Sequence, residues 1–150
     1  MKDDELKAIF LAEAQSNYEE LNRLFIILEK DHRSQKAVDS IFRITHTLKA
    51  NAAAMGFDGL SSLAHVLEDI FSLIKSNSIQ LDESLFESLF RANDKLGELI
   101  DSIKTEEKVS YRGLLTKLKV ILREASEHQK HEVENDSEPV DTEPETDSAP

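Results

Sequence analysis

The sequence holds 150 residues, with 30 Asp and Glu against 18 Lys and Arg, a net charge of -12, and no cysteine. The missing thiols exclude a disulfide framework, a thiolate zinc site and a cysteine nucleophile, and the acidic balance argues against nucleic acid as a partner, because such binders carry a basic patch. The start, Met1-Lys2-Asp3-Asp4-Glu5, is too acidic for a secretory n-region, and no apolar run reaches the roughly 18 residues of a membrane span, so no membrane insertion is expected and the cytoplasm is the default compartment.

The three prolines are Pro139, Pro144 and Pro150, so none interrupts the first 138 positions. The whole chain has 39% hydrophobic residues and only four glycines, and its first 138 positions read as a soluble, mostly helical domain large enough to bury its own core. The first predicted helix takes Asp3 or Asp4 as N-cap and lines Leu6, Ile9, Phe10, Ala14, Leu21, Leu24, Phe25 and Leu28 along one stripe, ending near Lys30. Ser34 caps the second, whose stripe is Val38, Ile41, Phe42, Thr45, Leu48, Ala52 and Met55, and Gly56 stops it. The third begins after Asp58 with Leu60, Leu63, Ala64, Leu67, Phe71 and Ile74.

A fourth helix follows Asp82 as N-cap, with Leu85, Phe86, Leu89, Phe90, Leu96, Leu99, Ile100 and Ile103, weakened slightly by Gly97. The fifth follows Ser110 with Tyr111, Leu114, Leu115, Leu118, Ile121, Leu122 and Ala125, and sets Arg112, Lys117, Lys119 and Arg123 mostly on its other faces. Short connections between long amphipathic helices make antiparallel neighbours, so the expected fold is all-α: an up-down antiparallel four-helix bundle with a fifth C-terminal helix. The domain is expected over residues 1–128. Residues 129–150 hold eight acids, one lysine and all the prolines, and are expected to be a disordered acidic linker or tail.

One local feature departs from plain bundle patterning. On a wheel of about 100° per residue, His46 falls roughly 115° from the centre of the second helix's stripe, on an exposed flank with Lys49, Ala50 and Ala53. His65 and Glu68 share a flank of the third helix, about 100° or more from its stripe, and lie within side-chain reach of each other. His46 precedes the Gly56-Phe57-Asp58-Gly59 turn by ten residues and Glu68 follows it by nine, which places both roughly 14 to 15 Å from the bend. Lys49 and His65 make the next pair towards the turn.

The residue types suggest a chemistry. A carboxylate that accepts the Nδ1 proton of a neutral imidazole fixes the tautomer that leaves Nε2 free as a nucleophile, and Glu68 would be that group for His46. If Nε2 attacked a phosphoryl group, Lys49 would balance the charge that arrives, and His65 could add a hydrogen bond.

The run Phe42-Arg43-Ile44-Thr45-His46-Thr47-Leu48-Lys49, followed by Ala52, Met55, Gly56, Phe57 and then Leu63, His65 and Glu68, resembles the histidine phosphotransfer (HPt) family, and is most similar to the N-terminal phosphotransfer domain of the CheA type of chemotaxis histidine kinase. The resemblance covers residues 3–128 and implies that His46 is the phosphorylated residue, with Lys49, His65 and Glu68 as its supporting network. Ala50 and Asn51 depart from the family's usual Gly and following Ser or Gly, so a methyl stands where a regulator docks. The resemblance further implies phosphorylation by a histidine kinase catalytic domain in trans, transfer to CheY-like response regulators, and a tail that tethers further domains. No Gly-rich nucleotide motif occurs, so ATP and Mg²⁺ belong to the partner kinase domain and none of this domain's residues is assigned to a cofactor or a metal. The isolated domain is expected to be monomeric, and a phosphoacceptor and carrier rather than itself an enzyme, within a parent chain that is a histidine protein kinase.

Three other readings compete with this one. A free-standing HPt phosphocarrier could serve another two-component relay. A metal site could use His46, His65 and Glu68, although bundle metal sites project their ligands inward whereas these residues flank the stripe. A pure protein-interaction bundle would make the acidic tail the working part. His32, His128 and His131 receive no role.

Overall fold

The computed structural model describes residues 2–127. Four helices run in chain order as α1 (Lys2–Lys30), α2 (Gln35–Met55), α3 (Asp58–Lys75) and α4 (Glu83–Thr105), and α5 occupies residues 112–127. The described residues contain no strand. α2 packs on α1 and α3, and α4 packs on α1 and α3, so the four helices close an antiparallel ring around one core. The expected acidic tail over 129–150, and with it the domain's expected end, lies outside the described residues.

The ends of the helices follow local chemistry. Ser34 Oγ accepts from the Ala37 N–H at 3.3 Å, and Asp82 Oδ1 accepts from the Leu85 N–H at 2.8 Å, so both expected N-caps are formed. α1 starts earlier than expected: Asp3, Asp4 and Glu5 occupy its first turn, where carboxylates favour the positive end of the helix dipole, instead of capping it. At the end of α2, Gly56 adopts φ 79°, its N–H bonds to the Ala53 carbonyl, and the Phe57 N–H bonds to the Ala52 carbonyl at 2.9 Å. A glycine tolerates this left-handed turn at no steric cost, and the pairing satisfies two orphan carbonyls. Phe57 then packs on Phe10 with ring centroids 5.3 Å apart, which fixes the α2–α3 hairpin against α1.

Packing corrects the periodicity in several places. Leu6 and Ile9 are exposed, because the first turns of α1 run past the core, and Phe90 lies at the rim with 43% of its surface exposed. Conversely α3 buries Val66, Glu68 and Ile70 in addition to its expected stripe, since both α2 and α4 cover it. α5 contributes a fully buried Leu118, and the half-buried Tyr111, Leu114, Leu115, Ile121 and Leu122 pack against the core. Deep between α1 and α4, the Asn93 amide donates to Asn22 Oδ1 at 2.7 Å.

Gly97 also has a different meaning in three dimensions. A Cβ there would overlap the ring and hydroxyl of Tyr18, so the glycine lets α1 and α4 approach closely. Gly97→Ala should therefore destabilise the bundle by about 1–3 kcal/mol through overpacking, despite the better helix propensity of alanine. Urea denaturation measures this, and a stabilised variant would refute the close-approach role.

Candidate functional site

The α2–α3 hairpin brings one exposed side chain and one buried carboxylate together. His46, on the outer flank of α2, keeps 58% of its side chain exposed, while Glu68 on α3 keeps only 10%. His46 Nδ1 and Glu68 Oε2 form a short hydrogen bond. Lys49, one turn along α2 and 25% exposed, donates from Nζ to the other carboxylate oxygen, Oε1, at 2.7 Å. Both oxygens of Glu68 are thus engaged by α2, and the expected pairing of His46 with Glu68 across the hairpin is formed.

The proton's position follows from the partner. An ionised carboxylate can only accept, so Nδ1 carries the hydrogen and the lone pair of the neutral ring resides on Nε2. Burial alone would push the Glu68 carboxyl upward, but the hydrogen bonds from Lys49 and His46 outweigh it and hold the group below its ordinary value of 4.5. A depressed carboxyl stabilises the fold fully above its unfolded value and loses that contribution as pH falls through the folded value. Glu68→Gln should accordingly flatten the acid limb below pH 4.5. The wild-type advantage in urea midpoint, measured from about pH 6 down to about pH 3, should shrink towards zero. An advantage that persists unchanged at the acid end would contradict this linkage.

The second expected pair is arranged differently. Lys49 turns to Glu68, not to His65, and His65 Nε2 instead lies 3.5 Å from Asp69 Oδ2, with the two side chains 58% and 44% exposed. Asp69 was missed in the sequence, although its spacing of one helical turn from His65 is a readable signal. Ser61 is a second missed contributor: its hydroxyl donates to the Lys49 carbonyl at 3.2 Å and ties α3 to α2 beside the site. Thr45, next to His46, is buried and donates back to the Ile41 carbonyl at 2.9 Å. On the other side of α2, the Asn51 amide reaches Glu13 Oε1 at 3.4 Å, linking this unusual residue to α1, while Ala50 is exposed.

A cation would find a poor donor set here. Nitrogen and oxygen donors of His65, Glu68 and Asp69 lie within 4.8 Å of one another, a different trio from His46, His65 and Glu68. Yet both Glu68 oxygens are already held by His46 and Lys49, which leaves one imidazole and one carboxylate at an exposed surface, short of the three or four ligands of a zinc site.

Comparison with known proteins identifies the family and the fold of the bundle. The Hpt domain family model matches residues 5–106. Among curated relatives, the chemotaxis protein CheA of Halobacterium salinarum is 34% identical over 102 residues, covering 68% of this chain and 15% of the relative. CheA of Bacillus subtilis is 33% identical, covering 63% of this chain and 14% of the relative. The chain therefore spans a small part of the length of the relatives it matches. Among solved structures, the CheA phosphotransfer domain from Thermotoga maritima superposes with a TM-score of 0.63 at 28% identity, covering 69% of this chain and 97% of that one. A histidine phosphotransfer domain of CheA solved in solution gives 0.70 at 26% identity, covering 81% and 93%. The phosphorylated P1 domain of CheA3 from R. sphaeroides, solved in complex with CheY6, gives 0.71 at 22% identity, covering 81% and 98%. Among the described residues, no helix is long and apolar enough to cross a membrane.

Proposed function

The chain belongs to the Hpt domain family, and from that premise we propose that it is a phosphocarrier of a chemotaxis relay whose acceptor atom is His46 Nε2. The observation that supports this most directly is the contrast across one hydrogen bond: a buried carboxylate fixes Nδ1–H of an imidazole that is otherwise open to approach. An exposed nucleophile with a set tautomer suits a residue that must enter other proteins' active sites.

The Nε2 lone pair attacks the γ-phosphorus of ATP held with Mg²⁺ in a histidine kinase domain acting in trans. A P–N bond forms, the P–O bond to ADP breaks, and its electron pair leaves on the ADP oxygen. The ring keeps its Nδ1 proton and becomes cationic, and the Glu68 carboxylate stabilises that charge. Lys49 balances the incoming phosphoryl charge and holds Glu68 in place, while His65, paired with Asp69, stands beside this network. In the second transfer a carboxylate oxygen of a response-regulator aspartate attacks phosphorus, and the P–N electrons return to Nε2. The complex of the R. sphaeroides domain with CheY6 is the ground for proposing a CheY-like acceptor. Positioning by the partners' active sites supplies most of the rate.

Incubation of the chain with a CheA-type kinase domain, Mg²⁺ and ATP should place one phosphoryl group on it that is acid-labile, base-stable and discharged by a CheY-like regulator. Failure to label, or a label stable to acid, would overturn the reading.

A further inference from the structure

A charged surface on α5 is left unused by this mechanism. From Lys108 to Arg123 the chain carries five cations and no acid, within a protein of net charge -12. On α5, Arg112, Lys119 and Arg123 fall within about 40° of one another and extend over about 16 Å of helix. All three are exposed, about 120° round the helix from the buried Leu118. Among the described residues none of them makes an ion pair, whereas Arg23, Lys49 and Lys95 are each paired with a glutamate.

We propose that the acidic segment Glu132–Glu138 of this same chain docks on that stripe. Its acids, Glu132, Glu134, Asp136 and Glu138, occupy every second position. Bound as an extended strand, the segment would set these four carboxylates on one face about 6.6 Å apart, a row of about 20 Å against about 16 Å of basic stripe. Glu132 follows Arg123 by nine residues, and a connection of that length can return to a helix surface about 5–6 Å from its axis. Exposed pairs are weak singly, but a tethered row meets its partner at millimolar effective concentration, and the shorter loop favours this set over Asp141, Glu143, Glu145 and Asp147 beyond Pro139. An antiparallel fit carries the chain back towards Tyr111, which packs on Gly59 at the α2–α3 turn. The tail would then leave the bundle from the hairpin end, and salt would control its exit. This inference stands apart from the His46 reading.

The chain has no cysteine, so Ser137→Cys in the complete 150-residue protein offers one position for a nitroxide spin label. At low salt, amide signals of residues 112–119 should lose more than half their intensity. They should recover at about 1 M NaCl, where the screening length falls to about 3 Å, and in the R112Q/K119Q/R123Q variant. Absence of localised broadening at low salt, or broadening that survives the triple substitution, overturns the proposal. So does equal broadening when spin-labelled chain is mixed with isotope-labelled, spin-free chain, which would make a second copy the occupant.

Discussion

His46→Gln should abolish phosphoryl acceptance while leaving a folded bundle. The side chain is 58% exposed, so its replacement removes little packing, and a glutamine amide N–H can take over the donation to Glu68, so stability should shift by no more than about 0.5 kcal/mol. Glutamine retains polarity and comparable length, but its amide nitrogen lone pair is delocalised and it cannot form the P–N bond. Label should fall to background with an unchanged urea midpoint; a label that persists would move the acceptor elsewhere. Glu68→Ala separates acceptance from orientation. It keeps the nucleophile but removes a charge-assisted hydrogen bond of about 1.5–3 kcal/mol, which converts to a rate loss of about 10- to 150-fold. An unaltered rate would strip Glu68 of its positioning role, and both rates are read in a single-turnover assay with the kinase domain.

The largest stability effect should come from Phe25→Ala, at the opposite end of the bundle from the hairpin turn. Phe25 is 1% exposed, and its ring centroid lies 6.0 Å from those of Phe71 and Phe86 and 6.3 Å from that of Phe90, so three helices meet on it. Removing such a ring costs about 3–5 kcal/mol, because transfer free energy and a cavity add together. That is a large share of the 5–15 kcal/mol or so that holds a domain folded. Ile26, its neighbour in sequence, is 54% exposed, and Ile26→Ala should shift stability by no more than about 0.5 kcal/mol. Equal urea midpoints for the two variants would show that the aromatic cluster does not carry the core.

Much of this was readable along the chain because the signals are local. Ser34 and Asp82 cap the helices that follow them, and Gly56 ends α2, since a short side chain or a missing Cβ acts on backbone atoms only a few residues away. The facing of His46 and Glu68 was also readable, because equal counts from a tight turn put two positions at one level of a hairpin. Leu6, Ile9 and Phe90 satisfied the same periodicity and are nonetheless exposed, since a stripe states which side is apolar and not where its neighbour ends. Gly97 looked like a weak helical position, and its purpose appears only when Tyr18, 79 residues earlier, is set against it.

The sequence by itself determined the helical class, the placement of caps and turns, and the identity of an imidazole, a carboxylate and an ammonium that could work together. Only the tertiary structure decided how they are shared. A wheel places Glu68 on a flank about 100° or more from the apolar stripe, but the packing of α2 and α4 around α3 buries it, so its charge is held by Lys49 and His46 instead of by water. With both carboxylate oxygens committed to α2, His65 is left to Asp69. Burial and partner choice are properties of surfaces that meet from distant parts of the chain, and helical periodicity, which repeats every few residues, carries no record of them.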